Sequence, residues 1–216
     1  GLVGSEMCIR DSSYTEHTNG IPQNSSMQAN VIYTSQTDVI EQQVKAARQL
    51  ADFVVVGVHW GVENSHAIAD PQRTLAQNLA DWGADLIIGT HPHVLQNAQW
   101  LTAADGRQVF TAYSLGNFIS TQEKPDQLVG AILSVQLEKT TELDGTVRCS
   151  VLSPRLLPTV THYDAGKSNV RTYLFRDYTE ALTKAHGVRQ AYPDFSLEMI
   201  QSIARENIDP KFLQLT

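Results

Sequence analysis

Two histidines separated by a proline, His91 and His93 of GTHPH, directly follow the short apolar run DLIIGT (Asp85 to Thr90), and a third, His59, follows the apolar run FVVVGV (Phe53 to Val58). Runs of this kind, rich in β-branched residues, read as strands buried on both faces, the parallel-sheet type. Parallel strands that end in histidines place those side chains at one carboxyl edge of the sheet, where open α/β domains bind ligands. Three neutral imidazoles converging there make a transition-metal site suited to zinc, iron or manganese. Pro92 is expected to keep the pair extended, so that both imidazoles project to the same side. A lone H-x-H pattern is a weak signal, and the matching strand end at His59 is what sharpens it.

Other residues nearby bear on the chemistry. Glu63, four residues after His59, can orient a histidine, act as a general acid or base, or be a solvated loop carboxylate. Asn117 in SLGNF, at the end of a later strand, is a candidate to hold a ligand or the local backbone. Asn19, with Gly20, forms either a plain turn or a substrate-facing loop. Ser114 is a poor nucleophile candidate, because no G-x-S-x-G elbow surrounds it. His17, His66, His162 and His186 sit in polar loop or exposed helix contexts and are expected at the surface; His66 keeps some interest because it shares a loop with His59.

The elements that must position these groups can be read from pattern. Tyr14 to Thr37 has loop composition. A helix should follow, with Asp38 at its N-cap and Val39, Ile40, Val44, Ala47 and Leu50 at helical spacing. After HWGVENSHAIAD, Asp70 can cap a second helix that has Pro71 at its first position, Leu75, Leu79 and Trp82 on its apolar face, and Gly83 as its stop. Strand, helix and strand with brief connections make a right-handed crossover unit, so the two strands lie parallel and need cover on both faces. Beyond residue 100, AADGRQ carries a turn signal before the strand VFTAYSL. LVGAILSVQLEK and TVRCSVLSPRLL, joined through ELDGT, suggest an antiparallel hairpin at the sheet margin. Two helical patterns, Asp177 to His186 and Ser196 to Glu206, look like a small peripheral appendage.

The balance of 16 basic against 23 acidic residues in 216 sets a formal charge of −7, which argues against nucleic acid as a partner, since that affinity comes from Lys and Arg releasing counterions. The longest apolar runs are about six residues, far below the roughly 20 needed for a membrane-spanning helix. Two cysteines, Cys8 and Cys149, make neither a disulfide framework nor a thiolate cage. The opening GLVGSEMCIRDS, Gly1 to Ser12, resembles the in-frame translation of a cloning or sequencing adaptor and is set aside. The natural sequence is then expected to enter in mid-protein near Ser13 or Tyr14, with any export signal or membrane anchor lost.

HTNGIP (17–22), VVVGVHWGVE (54–63), the PQ of 71–72, LADWGADLIIGTHPHVLQ (79–96) and YSLGNFIS (113–120) together resemble the CapA family of poly-γ-glutamate capsule synthesis proteins. That family is similar to the calcineurin-like metallophosphoesterases. The resemblance implies an α/β fold, a four-layer α/β/β/α sandwich, of which this chain holds the carboxyl-terminal part over residues 13–160, followed by a helical appendage over 161–216. It implies a centre of two divalent ions (Mn, Fe or Zn), with His59 in the HWG motif and His91 and His93 in the G-x-H-P-H motif as ligands. Trp60, Asn117 and Asn19 then become candidates to touch substrate or support the ligands, and Glu63 a candidate catalytic residue. The implied partners are an anionic envelope polymer or its precursor and a membrane synthase complex, at the extracytoplasmic face of the cell envelope. The family's G-D-x-M-like, N-L-E and N-N-H segments do not occur here. Half a site is therefore expected, inactive in isolation, with the polymer-repelling −7 charge unresolved and with exposed sheet edges that favour aggregation. A non-catalytic assembly or tethering subunit is the alternative.

Overall fold

A computed structural model describes residues 7–18, 20 and 31–216. Its first sheet has five strands: β1 (Ile9–Thr15), β2 (Phe53–His59), β3 (Leu86–Thr90), β4 (Leu95–Thr102) and β5 (Gln108–Leu115), in the spatial order β1-β2-β3-β5-β4. The first four in that order run parallel, and β4 closes one edge antiparallel to β5. Side-chain alternation divides the sheet between two cores. Val54, Val56, Val58 and Ile87 face α1 (Thr37–Leu50) and α2 (Asp70–Trp82), which bury Ile40, Val44, Leu75 and Leu79 against them. Phe53, Leu86, Phe110 and Ala112 face the other way. Both faces are covered, as a parallel sheet requires.

The second cover is itself a sheet. β6 (Val129–Thr141), β7 (Val147–Asp164) and β8 (Ser168–Leu174) form a separate antiparallel unit that packs Val129, Ala131, Leu156 and Val160 onto the first sheet. The hairpin therefore does not extend the sheet margin. Period-two alternation reports which face of a strand is buried and is silent on which strand it hydrogen-bonds to. β4 and β8 do not stand out in the sequence, because LQNAQWLT and SNVRTYL carry too many polar residues to read as apolar runs.

The carboxyl-terminal helices α3 (Glu180–Ala185) and α4 (Leu197–Asn207) fall close to their expected places, yet they are no peripheral appendage. Phe195, Ile200 and Phe212 are buried in the same core as both sheets, and Leu156 pairs its backbone with Phe212 and Gln214. The expected boundary at residue 160 falls inside β7. His162 and His186, expected at the surface, are 1% and 2% exposed. The His162 Nδ1 lies 2.7 Å from the Tyr178 hydroxyl; His186 Nε2 donates to the Thr161 carbonyl while its Nδ1 accepts from the Val188 amide.

Two local differences concern the segments that lead to the site. Ile9–Ser12, set aside in the sequence, pair in register with Phe53–Val56 as the first part of β1. An edge strand needs only backbone partners on one side, so Arg10 and Asp11 can lie exposed there without an apolar pattern. The helix caps also shift by one residue or more: Gln36 precedes α1 and Ala69 precedes α2, leaving Asp38 and Asp70 in the first turns, where their charge favours the helix dipole. Gly83 stops α2 at φ 125°, as its position predicts.

Candidate metal centre

Register aligns Thr15 of β1, His59 of β2 and Thr90 of β3 in one row across the parallel sheet. The residues that follow each strand therefore emerge at one edge: His17 after β1, His59 itself, and His91 and His93 after β3. Ring centroids lie 4.4 Å apart for His59–His91, 4.5 Å for His17–His91, 5.4 Å for His17–His59 and 6.0 Å for His91–His93. The donor atoms of His17, His59 and His91 lie within 4.8 Å of one another, as do those of Glu63, His91 and His93.

The histidine pair reaches this arrangement by an unexpected backbone. Pro92 does not hold it extended: His91 has φ 100° and His93 φ 62°, both in the left-handed region. Each such residue costs on the order of 1–3 kcal/mol and persists only where surrounding contacts fix it. Those contacts are visible. The Asn64 amide donates to the Pro92 carbonyl at 2.7 Å, and the Asn64 side chain accepts from Gln127. Behind the 61–69 loop, buried Gln72 accepts from the Ala69 amide and donates to Gln96, which in turn donates to the Ser65 and Ala67 carbonyls. Glu63 is thus carried beside His91 and His93 by a loop tied down at both ends.

Hydrogen bonds also set the tautomers. The Asn117 Nδ2 donates to the carbonyls of His93 and Gln127, which fixes the amide's orientation, so its Oδ1 accepts from His93 Nδ1 at 2.9 Å. His93 therefore carries its proton on Nδ1 and its lone pair on Nε2. Thr15 does the same for His59: its hydroxyl donates to the His17 carbonyl at 2.8 Å and is left to accept from His59 Nδ1 at 3.1 Å. Orienting partners of this kind accompany metal-binding imidazoles. Burial, reinforced by the neighbouring imidazoles, pushes the pKa of His59 and of His91 down, which keeps the rings neutral and their lone pairs available.

Of the residues expected here, His59, His91, His93 and Glu63 come together and Asn117 braces one of them; Asn19 lies outside the described residues. Trp60, a candidate to touch substrate, is 2% exposed: its indole donates to the Tyr113 carbonyl at 3.0 Å and stacks on the Tyr113 ring. It supports the end of β2. Ser114 is buried, with its hydroxyl given to the Val94 carbonyl. His66 bonds the Leu95 carbonyl and stays outside both ligand groups. His17, expected at the surface, keeps an accessible ring and joins the imidazole cluster as well. Its signal, a histidine two residues past a strand, was invisible while that strand went unrecognised.

The profile of the family described as bacterial capsule synthesis protein PGA_cap matches residues 6–122. The chain belongs to this family. Among curated relatives, the PGA_cap chain is 39% identical over 108 residues to the PGA biosynthesis protein CapA of Bacillus subtilis (strain 168), covering 50% of this chain and 26% of that protein. It is 40% identical over 89 residues to the capsule biosynthesis protein CapA of Bacillus anthracis, covering 39% of this chain and 20% of that protein. The match thus spans about a quarter or less of these relatives' length. A solved structure of a hypothetical protein from Thermus thermophilus is similar at 14% identity with a TM-score of 0.35, over 77% of this chain and 56% of that one. All the imidazoles of the centre fall inside the family match. No helix among the described residues is long and apolar enough to cross a membrane.

Proposed function

We propose that this chain carries the metal-binding part of a capsule synthesis protein, a hydrolase-like centre of the metallophosphoesterase type that acts on an anionic envelope polymer such as poly-γ-glutamate, or on its precursor. The names of the two curated relatives support the biological setting. The observation that carries the chemistry is the meeting of His59, His91, His93 and Glu63 at one sheet edge, with Thr15 and Asn117 turning two of the lone pairs to Nε2. One helical layer and two facing sheets support this reading, with α4 packed into the core that the two sheets share.

The donor set suits zinc, manganese or iron, being nitrogen-rich with one carboxylate. A divalent ion held there supplies Lewis acidity toward a phosphoryl or acyl oxygen. His91 would hold it, with His59 on one side or with His93 and Glu63 on the other, because the two ligand groups share His91. Glu63, exposed and adjacent, is placed to accept or return a proton. On a chain of charge −7, a cation at this edge also offsets the repulsion of an anionic polymer. The setting is the extracytoplasmic face of the cell envelope, with a membrane synthase complex as partner.

One observation favours a second reading, a non-catalytic assembly or tethering subunit that keeps the fold. Glu63 is the only carboxylate in either ligand group among the described residues, and a pair of ions about 4 Å apart needs a bridging carboxylate to offset their repulsion. This chain's own residues fit a single ion. Metal analysis of the purified protein, together with hydrolysis of generic phosphoesters, separates the readings. Under the enzyme reading His91→Ala loses both metal and turnover. Turnover that survives His91→Ala removes the metal mechanism, and bound metal without turnover in a protein that joins these residues to the family's G-D-x-M-like, N-L-E and N-N-H segments selects the assembly role.

A further inference from the structure

His17 has no counterpart in the ligand set inferred from sequence, yet it closes a triangle with His59 and His91. We propose that His17 is a direct metal ligand, so that His17, His59 and His91 form a tri-histidine centre for one divalent ion, and that this ion ties the end of the edge strand β1 to the ends of β2 and β3. The proposal rests on the metal reading above and deepens it.

Three observations carry it. First, the donor atoms of the three rings lie within 4.8 Å of one another and every pair of centroids lies within 5.4 Å. Zinc–nitrogen bonds of about 2.0–2.1 Å in tetrahedral geometry place ligand nitrogens roughly 3.4 Å apart, so the rings close on an ion by small side-chain rotations. Second, among the described residues no hydrogen bond involves a ring nitrogen of His17 or of His91, so no protein group competes with an ion for their lone pairs. Third, among the described residues the polar groups beside these rings are engaged elsewhere. The Thr15 hydroxyl serves the His17 backbone and His59 Nδ1, and the Glu16 carboxylate accepts from the Gly61 amide at 2.8 Å.

The second ligand group, Glu63, His91 and His93, shares His91 with the first. A neutral imidazole has one lone pair for a metal, so His91 serves one ion at a time. Occupancy is therefore one ion per chain, with His93 or Glu63 available as a fourth ligand or as neighbours of the open position.

The test is competition of Zn²⁺ between a chromophoric chelator and the 216-residue protein, with Co²⁺ absorption for geometry and hydrogen exchange for β1. The wild type should bind one ion, show tetrahedral Co²⁺ bands, and slow amide exchange over Ile9–Thr15 on metal addition. His17→Ala should weaken Zn²⁺ at least tenfold, since even the outer partners of metal ligands are worth about 10–100-fold, and should abolish the metal-dependent protection of β1. His17→Cys, which returns a ligand atom, should recover affinity and shift the Co²⁺ spectrum toward thiolate charge transfer. His17→Gln, with circular dichroism, controls for folding. Unchanged Zn²⁺ affinity and β1 protection in His17→Ala, with binding lost in His91→Ala, would overturn the His17 assignment while leaving the metal reading standing. Zn²⁺ binding indifferent to both substitutions would remove the metal reading itself.

Discussion

Asn117 grips His93 by both ends: its amide nitrogen donates to the His93 carbonyl at 3.1 Å and its amide oxygen accepts from the His93 ring at 2.9 Å. One side chain thereby fixes a left-handed backbone and a tautomer together. Asn117 reaches this place because β5 ends at Leu115 on the same edge as β2 and β3, and Gly116, at φ 66°, turns the chain back; a Cβ there would lie 2.9 Å from the Val129 carbonyl oxygen.

Replacing Asn117 should therefore act on metal affinity before stability. Asn117→Ala is expected to weaken Zn²⁺ binding by about 10–100-fold through loss of the orienting bond, and to cost about 1–3 kcal/mol because the Gln127 and His93 carbonyls lose a donor. Chelator competition and urea melts measure the two effects separately. An affinity equal to wild type would show that His93 needs no such brace.

Gly89 marks where the sheet and the Trp60 ring meet. A Cβ there would lie 1.9 Å from the Tyr113 carbonyl oxygen and 2.4 Å from the Trp60 indole nitrogen. Gly89→Ala should destabilise the fold by about 3 kcal/mol or more, because a backbone neighbour cannot step aside. Trp60→Phe, which loses one buried hydrogen bond and part of a stack, should cost about 1–2 kcal/mol in the same urea melt. Trp60→Phe should bind metal as the wild type does; a Trp60 that contacted substrate or metal would behave otherwise.

Stability should fall with acid through a residue far from the centre. His186 is held neutral by burial, its pKa pushed down to about 4. Protonation would force a proton onto the Nδ1 that accepts the Val188 amide. The unfolded chain protonates near pH ~6.5, so the contribution is fully present above that value and is lost as pH falls toward 4; at full loss it amounts to about 3 kcal/mol. Urea midpoints from about pH 7.5 to about pH 4.5 should decline, and the decline should be shallower in His186→Gln. Parallel profiles for the two proteins would place the acid sensitivity elsewhere.

Ser114 should be inert. Its hydroxyl donates to Val94 and accepts from Gly116 inside the core. Serine-reactive fluorophosphonate probes should leave it unlabelled in the folded protein, and Ser114→Ala should cost about 1 kcal/mol with no change in any turnover. Covalent labelling at this position would revive a serine mechanism.

The apolar runs at Phe53 to Val58 and Asp85 to Thr90, with a helix between them, were enough to specify two parallel strands. From that alone His59, His91 and His93 had to share an edge, and the strand through Leu115 brought Asn117 to it. These groups were legible because each directly follows a strand whose pattern is strong and local. Tertiary structure decided the rest. His17 joins the cluster because a weakly patterned edge strand pairs with β2, and Glu63 joins because the Asn64 amide is bonded to Pro92. His91 and His93 turn left-handed under contacts from loops far away in sequence. The β6–β7 hairpin became a facing sheet, and the carboxyl-terminal helices became part of the core. Side-chain periodicity records how one segment meets solvent. Pairing partners, backbone handedness and the last ligands of a site depend on segments that meet only when the chain has folded.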